Sequence, residues 1–166
     1  MIGPTEEGHK CLACGQFVKL YKRKLNSGMA RNLINIYQFF KYAGLPEYLH
    51  VENHLRSKKL HSSHDWALLR YWGLIIQKPS EGRGESNTGC WKITKRGREF
   101  VERMITVPKH VFLFNQTFYG FSDERITIDE ALTNKFSYAE LMGYPEPDVK
   151  VKQLQLKLPR GRPVKV

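Results

Sequence analysis

Two cysteines early in the chain have the spacing of a metal-binding turn. Cys11 and Cys14 are separated by two residues and followed by Gly15, and a turn of this kind presents two thiolates to one tetrahedral zinc ion. The third cysteine, Cys90, lies in a strand-like segment that we expect to be part of the core. The pattern therefore predicts a structural zinc ion whose remaining ligands are histidines; the alternative is a reduced cysteine pair without metal.

The histidines offer two pairs that would complete such a zinc site. His50 and His54 are the first candidates, because an i, i+4 pair on a helix places both rings on one face. His61 with His64 is the alternative pair, and His9 is a spare ligand. Zinc bound in this way would pin the cysteine turn to the rest of the protein.

A basic segment at residues 159–163 reads PRGRP. It resembles the core of an AT-hook, a short motif that inserts two arginines into the narrow minor groove of A·T-rich DNA, where negative potential is concentrated. The resemblance implies DNA contacts by the glycine and the basic residues of this region: Lys157, Arg160, Gly161, Arg162 and Lys165. The alternative is a tail that only adds positive charge.

Residues 62–100 predict a helix, a strand, a loop rich in glycine and serine, a second strand and another helix. The first helix is expected over 63–72, because capping serines precede it and Gly73 follows it as a left-handed terminator. The two strands are expected at 74–78 and 90–94, so the segment reads as a helix followed by a long hairpin.

The phrases RYWGLI and ITKRG on either side of that loop resemble the recognition helix and wing of winged helix-turn-helix DNA-binding proteins of the MarR-like kind. The resemblance implies that the helix lies in the major groove and that the wing reaches phosphates or the minor groove. The implied DNA contacts lie on the helix, before it and on the wing: Arg56, Lys58, Lys59, Ser62, Ser63, His64, Arg70 and Arg83. Trp66, Leu69 and Trp72 are expected to belong wholly to the core.

Three further helices are expected at 28–43, 47–56 and 95–105, because apolar residues recur there at helical spacing. The last of them is expected to point three apolar side chains inward: Phe100, Val101 and Met104.

A second hairpin is expected from 111–114 and 117–121, joined by a two-residue turn. Thr127 and Ser137 each precede a glutamate by three residues, which is the pattern of a capping box at a helix start. Two short helices are therefore predicted, and we expect them to cover the hairpin.

Together these elements predict an α+β protein with a winged helix-turn-helix core over residues 28–107. A zinc-ribbon-like hairpin is expected over 1–27, and a β-hairpin with short helices packed on the core over 108–143. Residues 144–166 are expected to be a basic, mostly disordered tail that carries the AT-hook-like motif.

The charge of the chain indicates a polyanionic partner. Its 166 residues have a formal net charge of +11, which attracts nucleic acid, although a basic surface that only confers solubility is the alternative. No apolar stretch has the length of a membrane span and no signal peptide is recognisable, so a cytoplasmic, nucleoid-associated protein without a membrane partner is expected. No phosphate-binding loop or metalloprotease motif is present, and we expect no enzyme activity.

The sequence predicts a regulatory protein that binds double-stranded DNA, with the winged helix in the major groove and the tail in an A·T-rich minor groove. The whole pattern also resembles small proteins of bacteriophages and bacterial mobile elements, a setting that favours transcription regulation or interference with a host factor. One alternative is a protein-interaction module that inhibits a host nucleic-acid machine, since the helix carries only Arg70 as a firm cation. Another is RNA binding, with Phe17 and Tyr21 stacking on unpaired bases. The oligomeric state is left open.

Overall fold

The computed structural model describes residues 3–43, 47–60, 64–80, 82 and 89–144, which form a mixed α+β fold. The α-helices of these residues are α1 (Ser27–Tyr42), α2 (Val51–Ser57), α3 (Lys95–Val101), α4 (Ile128–Leu132) and α5 (Tyr138–Met142). A long 3₁₀ helix covers His64–Trp72 and a short one covers Thr133–Lys135. The strands are β1 (His9–Lys10), β2 (Phe17–Val18), β3 (Tyr21–Lys24), β4 (Leu49–His50), β5 (Ile75–Gln77), β6 (Cys90–Ile93), β7 (Val107–Pro108), β8 (His110–Phe114), β9 (Thr117–Phe121) and β10 (Arg125–Ile126).

Helix α1 forms the centre of the core, as its apolar spacing predicts. It begins after Asn26, whose side-chain oxygen accepts a hydrogen bond of 2.9 Å from the amide of Met29. The residues on its apolar face, including Leu33 and Ile36, are fully buried. The long 3₁₀ helix, α3, α4 and α5 all pack against α1, so most of the fold is assembled around this one helix.

One three-stranded antiparallel sheet has the strand order β4-β6-β5. Its central strand pairs Trp91 with Leu49 on one side and Ile93 with Ile75 on the other. The Trp91 ring also meets Trp66 of the long 3₁₀ helix edge to face, with centroids 5.5 Å apart. Strands β5 and β6 confirm the hairpin expected from the sequence.

The segment ITKRG links this hairpin to the end of the long 3₁₀ helix through hydrogen bonds. The Thr94 hydroxyl donates a 2.6 Å hydrogen bond to the carbonyl of Gly73 and accepts one of 3.0 Å from the amide of Gly97. A Cβ atom on Gly97 would lie 2.2 Å from the carbonyl oxygen of Leu74. Only glycine therefore lets α3 approach the start of the hairpin this closely.

A second three-stranded antiparallel sheet has the order β3-β8-β9. Its β8-β9 hairpin turns at Asn115 and Gln116, whose φ angles of 47° and 60° suit a two-residue turn that matches the twist of the strands. This confirms the predicted hairpin. Strand β3 pairs with β8 rather than with β1 or β2, so residues from the expected segments 1–27 and 108–143 share one sheet.

The second helix begins later than the sequence predicts. Residues 47–56 were expected to be helical, but Leu49 and His50 form β4 and the helix starts at Val51. The difference arises because Leu49 and His50 are paired with strand β6, a long-range contact that overrides their local helical pattern.

Helix α3 ends earlier than expected, at Val101. Phe100 and Val101 are fully buried as predicted, but Met104 is 68% exposed, so its inward placement was wrong. Arg103 adopts a left-handed φ of 64° and its guanidinium binds the Asp129 carboxylate through contacts of 2.6 and 2.8 Å. This ion pair turns the chain away before another helical turn can form.

Both predicted short helices are confirmed, with the Thr127 and Ser137 side chains capping α4 and α5. Their expected position was wrong, because their principal neighbour is α1 rather than the hairpin. Within the described ranges, no helix combines the length and apolar character needed to cross a membrane.

Candidate nucleic-acid interface

The long 3₁₀ helix has one buried face. Trp66, Leu69 and Trp72 are at most 4% exposed, which confirms their assignment to the core. They are three residues apart, the repeat of a 3₁₀ helix, in which i and i+3 side chains lie directly above each other. The Trp72 indole also donates a 2.7 Å hydrogen bond to the Pro108 carbonyl. This burial fixes which side of the helix faces solvent.

The solvent side of this helix presents His64, Asp65 and Arg70. His64 and Asp65 are at its first turn, and Arg70 is near its end. The Gly73 residue that follows has a φ of 69°, as predicted for a left-handed terminator. The helix thus exposes an imidazole and a carboxylate at one end and a guanidinium at the other.

A basic turn precedes the first residues of the helix. Arg56, Lys58 and Lys59 are all exposed at the end of α2. Arg56 forms a 3.4 Å ion pair with Glu52, whereas Lys58 and Lys59 form no ion pair within the described part of the chain. The two lysines are therefore free to meet an external anion.

Glu52 connects this basic turn to the long 3₁₀ helix, a role that no sequence pattern predicted. One of its carboxylate oxygens lies 3.4 Å from Arg56 and the other lies 3.4 Å from Nδ1 of His64. His64 is 87% exposed, so this contact is well solvated and contributes little to stability. Its effect is to hold the His64 ring beside the basic turn.

The other end of the helix is held by the β8-β9 turn. The Tyr71 hydroxyl donates a 2.5 Å hydrogen bond to the Gln116 carbonyl and accepts one of 3.0 Å from Arg70. A groove of about 500 Å³ separates the helix from strand β3 beside this contact, with Tyr21 and Asp65 on opposite walls. The Arg70 guanidinium is thereby linked through Tyr71 to the β8-β9 turn.

Several residues that the sequence singled out lie outside the described residues. They are His61 of the alternative zinc-ligand pair, Ser62, Ser63 and Arg83 among the expected winged-helix contacts, and Lys157, Arg160, Gly161, Arg162 and Lys165 of the AT-hook-like segment.

The cysteine turn is closed by backbone hydrogen bonds on either side of its two thiols. The amide of Gly15 donates a 2.8 Å hydrogen bond to the carbonyl of Cys11, and the amide of Cys11 donates one of 2.7 Å to Gln16. Hydrogen bonds from the amides of Cys14 and Ala13 hold the pKa of the Cys11 thiol below its usual value. Because metal binding requires thiolates, this donor pair fits a zinc ion.

The two histidines expected to complete the zinc site have different surroundings. His50 lies before α2, where its Nδ1 accepts a 3.4 Å hydrogen bond from the amide of Asn53. The His54 ring packs against Phe39 at 4.9 Å, and burial together with Lys58 lowers its pKa. Within the described residues, no three His, Cys, Asp or Glu side chains are grouped to hold a metal.

Comparisons with protein-family models, with characterised proteins and with solved structures give no significant match. Function is therefore inferred from the residues and geometry of this chain alone.

Proposed function

We propose that residues 28–107 form a winged helix-turn-helix domain that binds double-stranded DNA. The order of its elements supports this proposal: α1, β4, α2 and the long 3₁₀ helix precede the β5-β6 hairpin, and α3 follows it. The helix that enters the major groove is then His64–Trp72, and the loop between β5 and β6 is the wing.

The single observation that carries the proposal is the placement of cations around the exposed side of this helix. Lys58 and Lys59 stand before its first turn and Arg70 near its last. At a rise of about 2.0 Å per residue the helix is about 18 Å long, and the major groove is about 12 Å wide. Cations near both ends can therefore reach phosphates on the two sides of the groove, which positions the helix on the duplex.

The residues between these cations suit base contacts. Asp65 is exposed at the first turn, and a carboxylate in the major groove accepts a hydrogen bond from the amino group of cytosine. His64 lies next to it and presents ring nitrogens to a neighbouring base edge. A carboxylate also repels phosphate, so Asp65 favours a site in which it meets a base and disfavours all others.

The AT-hook-like segment supplies a second contact. Arg160 and Arg162 would enter an A·T-rich minor groove beside the site of the winged helix. Linking two weak contacts through one chain raises the effective concentration of the second. The total charge of +11 would add electrostatic attraction to both.

The test is a titration of fluorescent A·T-rich and G·C-rich duplexes at several salt concentrations. Substituting Lys58→Gln and Lys59→Gln should weaken binding to both duplexes and reduce the slope of log affinity against log salt by about 1.8. Substituting Arg160→Ala and Arg162→Ala should instead remove the preference for the A·T-rich duplex.

Lys41→Gln with Lys135→Gln is the matched control, because both lysines are exposed elsewhere on the surface and the change in net charge is the same. If the control weakens duplex binding as much as Lys58→Gln with Lys59→Gln, the contact is non-specific and the proposed interface is wrong. If neither duplex binds below tens of micromolar at low salt, the DNA proposal fails altogether.

One observation favours a second candidate function, a module that docks on another protein and inhibits a nucleic-acid machine. The groove of about 500 Å³ beside the helix is lined by both apolar and polar side chains, among them Leu68, Tyr71 and Asp65. A groove of this kind suits an inserted side chain of a protein partner. Failure of duplex binding, with capture of a protein that Leu68→Glu abolishes, would support this candidate.

A further inference from the structure

The sheet β3-β8-β9 has one face directed to the core and one directed outward. Along β8, Val111 and Leu113 are buried at 0% and 6% exposure, whereas Phe112 and Phe114 between and after them are partly exposed. Side chains alternate between the two faces of a strand. Phe112 and Phe114 therefore belong to the face away from the core, which we call the outer sheet face.

Lysines of the neighbouring strand lie on the same face. Lys22 is paired with Phe112 and Lys24 with His110 across the β3-β8 ladder, and both lysines are exposed. The ammonium of Lys22 stands 5.6 Å from the centre of the Phe112 ring. The two lysines thus form a basic edge along a row of aromatic rings.

A further aromatic ring of β9 lies on this face. The register between β8 and β9 shifts between Phe112 and Leu113, and such a bulge leaves one residue of β9 without a cross-strand partner. That residue is Tyr119, which is 53% exposed and meets the Phe114 ring edge to face at 6.1 Å. Thr117 is paired with Phe114, so alternation along β9 places Tyr119, two residues later, on the same face.

Space for a ligand lies next to these rings. Gly120 is paired with Phe112, and a Cβ atom built on Gly120 would have no atom within 4 Å. The side of the Phe112 ring toward β9 is therefore not filled by a side chain of its cross-strand partner. A flat ligand can lie over Gly120 between Phe112 and Tyr119.

The charges facing this surface are predominantly positive. Lys22 and Lys24 form no ion pair within the described residues. The Glu124 carboxylate is bound by Lys109 at 2.5 Å, whereas the neighbouring Asp123 is exposed and forms no ion pair within the described residues. His110, between the two strands, has its pKa lowered by burial and by the surrounding lysines, so it is neutral at pH 7. A polyanion therefore meets two ammonium groups that no described carboxylate neutralises along strand β3.

We propose that the outer sheet face binds single-stranded nucleic acid. Unpaired bases stack on Tyr119 and Phe112, and the phosphates between them contact Lys22 and Lys24. Base stacking on aromatic side chains tolerates any sequence because every base has a π-face, and sheets with exposed aromatic rings are used in this way to bind unpaired RNA. A duplex cannot use this surface, because its bases are already stacked within the helix. The site is thus separate from the one proposed for double-stranded DNA.

The experiment measures fluorescence anisotropy of labelled 12-nucleotide oligo(dT), 12-nucleotide oligo(rU) and a 12-base-pair duplex with the full chain. Tyr119→Ala should weaken binding of the single strands at least about fivefold and leave duplex binding unchanged. Tyr119→Phe keeps the ring and should bind like the original protein. The relative affinities of oligo(dT) and oligo(rU) distinguish a DNA ligand from an RNA ligand.

Two further pairs of variants separate this site from the duplex site. Lys22→Gln with Lys24→Gln should reduce the salt slope for single strands by about 1.4 without changing that for the duplex, and Lys58→Gln with Lys59→Gln should do the reverse. Tyr42→Ala, at a tyrosine of α1 that is 70% exposed, controls for the loss of any surface tyrosine.

The proposal is overturned if neither oligonucleotide binds below tens of micromolar at low salt. It is equally overturned if Tyr119→Ala binds single strands as the original protein does, or if Tyr42→Ala loses as much affinity. Because the duplex is measured with every variant, failure of this proposal is distinguishable from failure of the proposed DNA-binding function.

Discussion

The long 3₁₀ helix and the outer sheet face use aromatic residues in opposite ways. In the helix, Trp66 and Trp72 are buried and leave only polar and charged side chains exposed. On the sheet, Tyr119 is exposed and Phe112 is partly exposed beside lysines. The first surface is suited to reading the edges of paired bases, and the second to stacking on the faces of unpaired ones. In the two proposed sites, similar residue types would thus serve different partners according to which side of their element faces the core.

The largest effect on stability is expected when a buried tryptophan of the long 3₁₀ helix is replaced. Trp72→Ala should lower the free energy of unfolding by about 3–5 kcal/mol, because it leaves a cavity and removes the hydrogen bond to Pro108. Tyr119→Ala should change it by less than about 0.5 kcal/mol. Urea unfolding followed by circular dichroism measures both. Equal effects would show that Tyr119 is a core residue and would remove it from the proposed site.

The next effect on stability concerns Gly97, where α3 packs closely against the start of the β5-β6 hairpin. Gly97→Ala should destabilise the protein by about 1–3 kcal/mol, because the added methyl group would collide with the carbonyl of Leu74. Lys95→Ala, at an exposed position of the same helix, is the control and should have little effect. Thermal unfolding measures the difference. A Gly97→Ala variant as stable as the control would mean that α3 can shift without cost.

Zinc content tests whether the cysteine turn supports the sheet rather than the helix. We expect about one zinc ion per chain by mass spectrometry of the metal, and none after Cys11→Ser with Cys14→Ser. Since the turn precedes strand β3, loss of zinc should weaken single-strand binding and spare duplex binding. His50→Gln with His54→Gln should also remove zinc if these histidines complete the site. Retention of zinc by that variant would assign the remaining ligands elsewhere.

The smallest effect is a pH dependence of stability. The pKa of His54 is lowered in the folded chain by burial and by Lys58, and that of His110 by burial and by Lys22. The unfolded chain therefore binds more protons below about pH 6.5, so stability falls as the pH drops through that value toward the lowered folded-state pKa. Urea midpoints at pH 7.5 and 5.5 measure the loss. His54→Asn should reduce the loss; an unchanged pH dependence would show that His54 titrates normally.

Local patterns predicted the elements whose signals are contained within a few neighbouring residues. The helix after Asn26, the hairpin around Asn115 and the caps at Thr127 and Ser137 each depend on contacts between residues close in sequence. The boundaries that failed, at His50 and at Met104, were set by strand pairing and by the ion pair of Arg103 with Asp129. Contacts between residues distant in sequence produce no periodic pattern, so these boundaries could not be predicted from local sequence.

The site was predicted in part for the same reason. Trp66, Leu69 and Trp72 are spaced by three, which fits one face of either an α-helix or a 3₁₀ helix, so the buried residues were identified but the helix type was not. The outer sheet face was not predicted, because it requires the pairing of Lys22 with Phe112 and the register shift that sets Gly120 opposite Phe112. Neither feature can be read from residues 17–24 or 117–121 alone.

The pairing of β3 with β8 also affects the order in which the outer sheet face and the surface of the long 3₁₀ helix form during folding. Tyr21 pairs with Leu113, so the sheet requires a long loop to close, and contacts of high sequence separation form slowly. During synthesis on the ribosome, β3 has no strand to pair with until the residues of β8 have emerged. The outer sheet face would accordingly be assembled after α1 and the long 3₁₀ helix have met.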